Sequence, residues 1–472
     1  MSREIFADYE QLLMFPPAVD DWIGLDHPAR FVRDFVDSLD LESMGFRVRE
    51  TTMGRPHYGA ALLLKVWLYG YLNSIRSSRK LERGCREHMG LIWLTGMKPP
   101  DHNTLWRFWL DNKKALRGVF KRSVRIALDA NLLGVVVHAV DGTKIMACSS
   151  RRTVWHKEEL EKLLAKIEES ISDVMRQVER SERKEVGEYR LPESLHDQEQ
   201  RKRFIQEAIR KLEDEDAKHL HPGEPDARLM KNGRTTELSY NAQAVADQKT
   251  GMVVAADVVN EENDTAQLVP MLTQVKDNLG DTAKESLADG GYASAAQIDS
   301  AEKEKYSILT SPGPNEASKE KSYHSSRFIY DEENDRCICP HGNILPFERI
   351  KRSRWDTHEL RIYRCRDFRQ CPHRFECSSA KRGRTIEITP YHQAVVRQRE
   401  KRQEPSNKEL LKARKTIIEP VFGWIKRNLG FRRWTVRGLE SVKAQWSLIC
   451  TTINMKKLYK YWLSGALRPT EC

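Results

Sequence analysis

The first 132 residues carry apolar positions at helical spacing. Residues 58–72 contain the strongest such pattern and indicate a buried helix, and a helix is also predicted over 29–39. After the proline break at Pro100, a further helix is predicted from 104 to about 131. We therefore predict an all-helical N-terminal domain over residues 1–132.

Downstream of this domain, the pattern changes to strands separated by helices. One helix with a single apolar face is predicted from 265 to 279. The strands are predicted at 135–146, 238–247, 252–259 and 285–288. Strands interrupted by helices are typical of a mixed α/β sheet with helices packed on it, so residues 133–465 are predicted to form one α/β domain.

Two insertions are predicted within this α/β domain. The first, residues 151–235, carries apolar residues at heptad spacing, a break at Pro192 and a second helix, which together predict a helical hairpin. Its expected role is packing or contact with a partner. The second, residues 310–385, contains a cluster of cysteines and is predicted to be small and rich in β-structure.

Charge is distributed unevenly along the chain. The net charge is +11 with an isoelectric point of about 9.1, and residues 380–440 carry sixteen Lys or Arg against six Asp or Glu. Such a run is often only a solvated face, but this one also contains aromatic residues and a central glutamate. We therefore favour contact with DNA. The helical N-terminal domain fits a DNA-binding helix-turn-helix and a plain bundle equally well.

Nothing in the sequence indicates export or a membrane span. The first eight residues lack the apolar core of a signal peptide, and no uninterrupted apolar stretch approaches the roughly 20 residues that cross a bilayer. A cytoplasmic protein with no membrane partner is therefore expected. Its nine cysteines are expected to be thiols or metal ligands rather than disulfides.

Three acidic residues occupy settings that could bring their carboxylates together. Asp141 and Asp289 each follow an apolar strand and precede a glycine, and Glu419 lies on a basic helix. Each alone has an ordinary explanation, because Asp-Gly is a common turn and a carboxylate favours a helix start. Together, two strand-end aspartates and a helical glutamate could hold two divalent metals around a phosphodiester. Asp247 and Asp264 are interpreted as structural, Asp264 as a helix N-cap.

Short motifs follow one another in a distinctive order along nearly the whole chain. Those of the N-terminal domain are Asp26-His27-Pro28-Ala29-Arg30, Ser77-Ser78-Arg79-Lys80-Leu81 and Pro100-Asp101-His102. Those further on are Asp141-Gly142-Thr143-Lys144, Tyr240-Asn241-Ala242-Gln243, Asn263-Asp264, Ala288-Asp289-Gly290-Gly291-Tyr292 and Glu419-Pro420-Val421-Phe422-Gly423-Trp424-Ile425-Lys426. In this order and spacing, the chain resembles the DDE transposases of bacterial insertion sequences, in the branch with an all-helical N-terminal domain.

The resemblance implies the fold and the reaction. The α/β domain would have a ribonuclease-H-like fold, with Asp141, Asp289 and Glu419 as a catalytic triad that binds two Mg²⁺ (or Mn²⁺) ions. The protein would bind the terminal inverted repeats of its element, cleave one strand at each end and join the released 3′-hydroxyl to target DNA. It would act as at least a homodimer on double-stranded DNA, in the bacterial cytoplasm with the nucleoid.

The resemblance also implies basic residues that contact DNA. Lys426 lies two helical turns after the triad glutamate, on the same helix face. Lys415, beside Arg414, fills the basic position one turn before that glutamate. A tyrosine that some relatives carry a turn earlier is replaced by Lys412. The basic tail that follows provides two more candidates for contact with phosphates, Arg432 and Arg433.

The cysteines of the second insertion are candidate zinc ligands. Zinc takes about four soft or imidazole ligands, usually from two pairs that are close in sequence. The candidate set is Cys339, Cys365, Cys371 and Cys377. Phe368 stands where relatives often carry a further cysteine, so a set of reduced thiols is the alternative to a structural zinc site.

Two other functions remain open at this stage. A degenerate or domesticated transposase would bind DNA as a repressor without cutting it, although all three acids are present. A metal-dependent nuclease would cut DNA without joining it. Assays of binding, cleavage and joining separate these alternatives.

Overall fold

The computed structural model describes residues 18–47, 57–150, 154–182, 193–214, 219–221, 223–233, 235–313, 322–352 and 358–467. These residues group into two units. One unit contains the described residues up to Ala130 together with those from Ser447 onward, and the other runs from Asn131 to Trp446. Within the described ranges, no helix combines the length and apolar character needed to cross a membrane.

The first unit is helical. Its helices within the described residues are α1 (Pro28–Asp37), α2 (Ala60–Leu72), α3 (Ser78–Glu87), α4 (Met89–Thr95), α5 (His102–Asp111), α6 (Lys113–Asp129) and the C-terminal part of α14 (Leu439–Leu463). Helix α2 is apolar on most sides, and its buried side chains include Leu64, Trp67 and Leu68. A helix that is apolar on most sides lies at the centre of a bundle, as predicted from the sequence.

The helix predicted over 104–131 is divided in two. Asn112 separates α5 from α6 with a backbone conformation outside the helical region. Its amide Nδ2 donates to the carbonyl of Phe108 at 2.8 Å, and its Oδ1 accepts from the backbone N–H of Arg47 at 2.9 Å. An asparagine side chain that bonds to the backbone in this way competes with the helical hydrogen bonds, so the chain turns at this residue.

The end of the chain groups with the helical unit, although the predicted α/β domain extends to residue 465. The ring of Phe31 on α1 lies with its centroid 5.7 Å from that of Tyr459 and 6.0 Å from that of Trp462. The amide of Asn454 donates to the hydroxyl of Ser123 on α6 at 3.3 Å. Aromatic packing therefore joins the last turns of α14 to α1.

The second unit is built from strands and helices. Its elements, in chain order, are β1 (Val137–Met146), β2 (Trp155–His156), α7 (Lys157–Glu182), α8 (Glu193–Asp214), β3 (His219–Leu220), β4 (Arg228–Asn232), β5 (Thr235–Asp247), β6 (Val253–Val259), α9 (Leu268–Leu279), β7 (Glu285–Ala288), α10 (Ala295–Lys303), β8 (Ile308–Thr310), β9 (Ile329–Asp331), β10 (Arg336–Ile338), β11 (Ile344–Arg352), β12 (Glu359–Arg364), α11 (Arg374–Cys377), β13 (Thr385–Ile388), α12 (His392–Gln403), α13 (Pro405–Arg427) and the start of α14.

A mixed sheet forms the centre of this unit. In the described residues its strand order is β4-β5-β1-β7-β8, and β6 also pairs with β5. β5 is antiparallel to β1, whereas β7 is parallel to β1 and β8 is parallel to β7. Helix α9 packs on β5 and β6, and α13 packs on β1, β5, β7 and β8. The predicted mixed α/β architecture with a helical N-terminal region is confirmed.

Both insertions have small cores of their own. In the first, α7 packs against α8 around the buried side chains of Leu160, Ile167, Ile205 and Leu212. The second extends past its predicted limit of 385, to Ile388, because β13 completes its sheet. In it, β9 to β13 form an antiparallel sheet in the order β13-β12-β11-β10-β9. The core of the second insertion contains Phe328, Cys337, Leu345, Tyr363, Ile386 and Ile388.

Candidate active site

The register of two parallel strands sets two aspartates side by side. Ala139 on β1 pairs with Leu287 on β7. Asp141 lies two residues after Ala139, and Asp289 lies two residues after Leu287. The two aspartates are therefore level with each other on one face of the sheet. Asp289 directly follows β7, as predicted. Asp141, predicted at a strand end, lies within β1, because pairing with β5 extends that strand to Met146.

Each of these carboxylates is held by the backbone that follows it. Asp141 Oδ1 accepts a hydrogen bond from the N–H of Gly142 at 2.8 Å. Asp289 Oδ1 accepts one from the N–H of Gly291, also at 2.8 Å. The glycines that the sequence presents as turn signals therefore serve here as donors that orient the two acids.

Helix α13 brings a cation to Asp141. The Arg414 Nη1 atom lies 3.1 Å from Asp141 Oδ2, and only 9% of the arginine side chain and 19% of the aspartate side chain are exposed. Burial nevertheless raises the pKa of Asp141 above its usual value, and the charge of Asp289 adds to that rise, although Arg414 and the Gly142 N–H oppose it. Burial thus outweighs the stabilisation that Arg414 and the Gly142 N–H give to the ionised Asp141 carboxylate.

A third aspartate, Asp264, lies beside Asp141 and Asp289. The Asp264 Oδ1 atom accepts hydrogen bonds from the amides of Asn241 at 2.8 Å and Gln243 at 2.6 Å, both on β5. The predicted N-cap role for Asp264 is wrong, because α9 begins only at Leu268 with Gln267 as its N-cap residue. The informative signal in the sequence is the Asn-x-Gln pair on an apolar strand, since buried amides need polar partners.

Tyr292 supports this network through Gln243, which binds Asp264. Its hydroxyl donates a short hydrogen bond to Gln243 Oε1, and the side chain is fully buried. Burial raises the pKa of Tyr292 well above its usual value, and the charges of Asp264, Asp141 and Asp289 add to the rise. The hydroxyl therefore stays protonated at neutral pH and remains a donor to Gln243.

The close approach of Gly142 to this network yields a prediction. A Cβ at position 142 would lie 2.5 Å from Gln243 Nε2 and 2.8 Å from Asp264 Oδ1. Gly142→Ala is therefore expected to destabilise the fold by about 1–3 kcal/mol, because the bonded amide and carboxylate must move.

The matched control is Gly423→Ala on α13, where a Cβ meets nothing within 4 Å. This variant is expected to be as stable as wild type or more stable by up to about 1 kcal/mol. Denaturant unfolding measures both free energies. Equal stability of Gly142→Ala and Gly423→Ala would refute the close packing around residue 142.

Glu419 is not joined to the two aspartates by any contact within the described part of the chain. It lies on α13, and its side chain is exposed. Lys426, seven residues later, lies on the same helix face. The Lys426 side chain is half-buried, and burial lowers its pKa, as does the charge of Arg432, while the charge of Asp141 opposes this fall. The helix face that carries Glu419 therefore includes a lysine whose charge interacts with that of Asp141.

The remaining basic candidates differ in exposure. Lys415, Arg432 and Arg433 are exposed, whereas Arg414 is buried. Arg433 Nη1 donates to the carbonyl of Ala147, just beyond β1, at 3.3 Å. Arg414, predicted to contact DNA, projects from α13 toward the sheet and donates from Nη1 to Asp141 Oδ2. Its contact with DNA stays a prediction.

The four candidate zinc ligands lie near one another in the second insertion. Cys339 Sγ accepts hydrogen bonds from the backbone N–H groups of His341 at 3.4 Å and Asn343 at 3.3 Å. Burial raises the pKa of Cys365, and the nearby Cys371, Cys339 and Cys377 add to the rise. The fifth cysteine of the cluster, Cys337, is fully buried in the core.

Two histidines lie close to these thiols. The rings of His341 and His373 stack with centroids 3.8 Å apart, and the hydroxyl of Tyr323 lies 2.8 Å from His341 Nε2. Across the described residues, however, no group of three or more His, Cys, Asp or Glu side chains is arranged to hold a metal ion. This applies both to the cysteine cluster and to the three carboxylates predicted as a triad.

Comparison with known proteins identifies two segments of the chain. Residues 338–459 match the family model described as "Transposase DDE domain", and residues 17–109 match the model described as "Transposase domain (DUF772)". No curated protein and no solved structure matches the chain significantly. The first match includes the four candidate zinc ligands and Glu419 but neither aspartate of the predicted triad.

Proposed function

Because both of its matched segments belong to transposase domains, as expected of a DDE transposase of an insertion sequence, we propose that this protein binds the terminal inverted repeats of its element and catalyses strand cleavage and strand transfer. The observation that carries the proposal is the level placement of Asp141 and Asp289 on adjacent parallel strands beneath α13. The strand order β6-β5-β1-β7-β8, with only β5 antiparallel, supports a ribonuclease-H-like fold.

The donor set suits divalent metal ions. Asp141 and Asp289 offer hard carboxylate oxygens. Burial raises the pKa of Asp141 and the charge of Asp289 adds to that rise, so a bound cation would favour the ionised form that coordinates metals. We propose that these two acids, with Glu419 from α13, hold two Mg²⁺ or Mn²⁺ ions. Bound in this way, the metals would activate the attacking oxygen and stabilise the leaving one. Asp264 adds a further carboxylate, held by β5 amides, beside the same site.

Other residues of the chain would prepare this site for DNA. Arg414 favours the ionised form of Asp141 and orients it, and the hydroxyl of Tyr292 holds Gln243, which in turn holds Asp264. Lys426 brings a positive charge to the Glu419 face of α13, where a phosphate would be attracted. Lys415, Arg432 and Arg433 are exposed candidates for contacts with the DNA backbone.

The proposed chemistry has two steps. Water attacks the phosphodiester at an element end, the bond from phosphorus to the 3′-oxygen breaks, and that oxygen leaves as a 3′-hydroxyl. The hydroxyl then loses its proton and attacks a phosphodiester of target DNA, where another 3′-oxygen leaves. No covalent bond to the protein is formed. Because two ends must be joined to one target, we propose at least a dimer on DNA.

We also propose a structural zinc in the second insertion, held by Cys339, Cys365, Cys371 and Cys377. The thiols lie close together, and two backbone N–H groups donate to Cys339 Sγ and orient it. Purified protein is expected to contain about one zinc per chain. Replacing both Cys371 and Cys377 with serine is expected to remove it.

Metal analysis of the purified protein checks this prediction. Cys148→Ser is the control, since Cys148 lies outside the insertion and should leave the zinc content unchanged. Folded wild-type protein free of zinc would contradict the assignment and leave the cysteines as reduced thiols.

Cleavage and joining of end DNA test the proposed function. Wild-type protein and Mg²⁺ would be incubated with a target plasmid and with labelled duplexes. These duplexes carry the terminal inverted repeats that flank the gene. The proposal predicts a 3′-hydroxyl product and its covalent joining to the plasmid. Binding without cleavage would favour a repressor, and cleavage without joining would favour a nuclease.

A further inference from the structure

One surface of the second insertion presents an exposed aromatic ring. Phe375, on α11 between two cysteines of the cluster, is 89% exposed, more than any other large hydrophobic side chain among the described residues. Single exposed hydrophobic residues are common on protein surfaces, so exposure alone assigns no role. The chemistry around the ring is therefore what matters.

One guanidinium lies against this ring and links it to a second aromatic ring and a second arginine. The Arg374 Cζ atom lies 5.4 Å from the ring centroid of Phe375 and 5.3 Å from that of Phe368. The Arg369 Cζ atom lies 6.0 Å from the Phe368 centroid. Two aromatic rings and two arginines therefore form one patch, in which each ring lies against a cation.

Positive charge extends well beyond the patch. Residues 361–384 carry eight Lys or Arg and only two Asp or Glu, a net charge of +6. Arg361 and Arg364 form ion pairs with acids of the same sheet. Four more basic residues of this segment have exposed side chains and form no ion pair within the described residues: Arg366, Arg369, Lys381 and Arg382.

This combination favours unpaired nucleotides over other occupants. Arginines attract phosphates, and an exposed aromatic ring gains free energy by stacking on the face of a base. In a duplex those faces are stacked on each other, so the ring has no access to them. A second copy of this chain would bring the same positive charge to the patch and be repelled.

We propose that the surface formed by Phe368, Arg369, Arg374 and Phe375 binds unpaired bases of DNA, with Phe375 as the stacking platform. The inference rests on the proposed function only in taking DNA as the substrate. Binding to this surface requires neither cleavage nor the carboxylates of the active site.

Binding measurements with full-length protein test this assignment without metal ions. The probes are a fluorescent duplex with an overhang of six unpaired thymidines and the same duplex without the overhang. Phe375→Ala is expected to weaken binding of the overhang duplex roughly tenfold and to leave the blunt duplex within about twofold. Phe375→Trp is expected to retain wild-type binding, because tryptophan also stacks.

The matched control is Phe204→Ala in the helical hairpin, where the phenylalanine is 47% exposed and lies outside the basic segment. It should bind both probes as wild type does. Arg369→Ala should weaken binding of the overhang duplex. It should also reduce the slope of log K against log salt concentration by less than about one, because one phosphate contact is removed. Unchanged thermal unfolding of Phe375→Ala would exclude loss of fold as the cause.

Three results would overturn the proposal: equal affinity of Phe375→Ala and wild type for the overhang duplex, equal weakening of both probes, or a changed oligomeric state with unchanged DNA binding. The last result would assign the surface to a second copy of the chain. Failure of the proposed function is distinguishable, because wild type would then show overhang binding through Phe375 without cleaving end DNA.

Discussion

Replacing Asp141 or Asp289 with asparagine is expected to lower the rate of strand cleavage by about 1000-fold, or about 4 kcal/mol. Asparagine keeps the shape of each side chain but removes the charge that would bind metal ions. Glu419→Gln is expected to act in the same way, and this variant is expected to fold as wild type does because the side chain is exposed. Single-turnover cleavage of labelled end DNA with Mg²⁺ measures these rates.

The matched control for these variants is Asp281→Asn, an exposed aspartate of the same unit with the same change of charge. It should cleave at the wild-type rate. Asp264→Asn separates two versions of the site. If cleavage depends on Asp264 but not on Glu419, the third acid is Asp264 and the proposed triad is incorrect. Wild-type rates for Asp141→Asn and Asp289→Asn would refute the site altogether.

Removal of the Arg414 guanidinium is expected to destabilise the protein by about 3 kcal/mol at pH 8. Arg414→Ala leaves Asp141 buried without its cation, which raises further a pKa that burial already raises. A carboxyl whose pKa is raised by folding binds more protons in the folded state. The free energy of unfolding therefore falls as the pH rises from the pKa of this carboxyl in the unfolded state to its pKa in the folded state.

It follows that the loss of stability in Arg414→Ala should be larger at pH 8 than at pH 4. The acid limb of the cleavage rate should also move to higher pH, because ionised Asp141 is needed. Denaturant unfolding at both pH values and a pH profile of cleavage measure these effects. Lys415→Ala, an exposed neighbour, is the control and should change stability by less than about 0.5 kcal/mol. A destabilisation independent of pH would contradict the coupling to Asp141.

Local patterns predict much of this fold. The strand predicted at 285–288 forms β7 within the predicted limits, and Asp289 follows it. The apolar stretch at 58–72 forms α2 from Ala60 to Leu72. A stretch with the length and hydropathy of residues 58–72 leaves the chain few alternatives to burial, so sequence alone identifies it.

Contacts between distant residues could not be predicted in the same way. Arg414 and Asp141 are 273 residues apart, and only the packing of α13 on β1 joins them. Asp264 resembles a helix cap in sequence, yet its carboxylate accepts hydrogen bonds from the side-chain amides of Asn241 and Gln243. A one-dimensional pattern contains helix and strand periods but not which polar groups meet across a sheet.

The proposed function requires this chain to cut and join the ends of its own element. The most direct measurement incubates wild-type protein and Mg²⁺ with labelled end DNA and a target plasmid and follows both products. We expect cleavage with a free 3′-hydroxyl and covalent transfer of that end to the plasmid. Specific binding of the ends with neither product, under the same conditions and with folded protein, would contradict it.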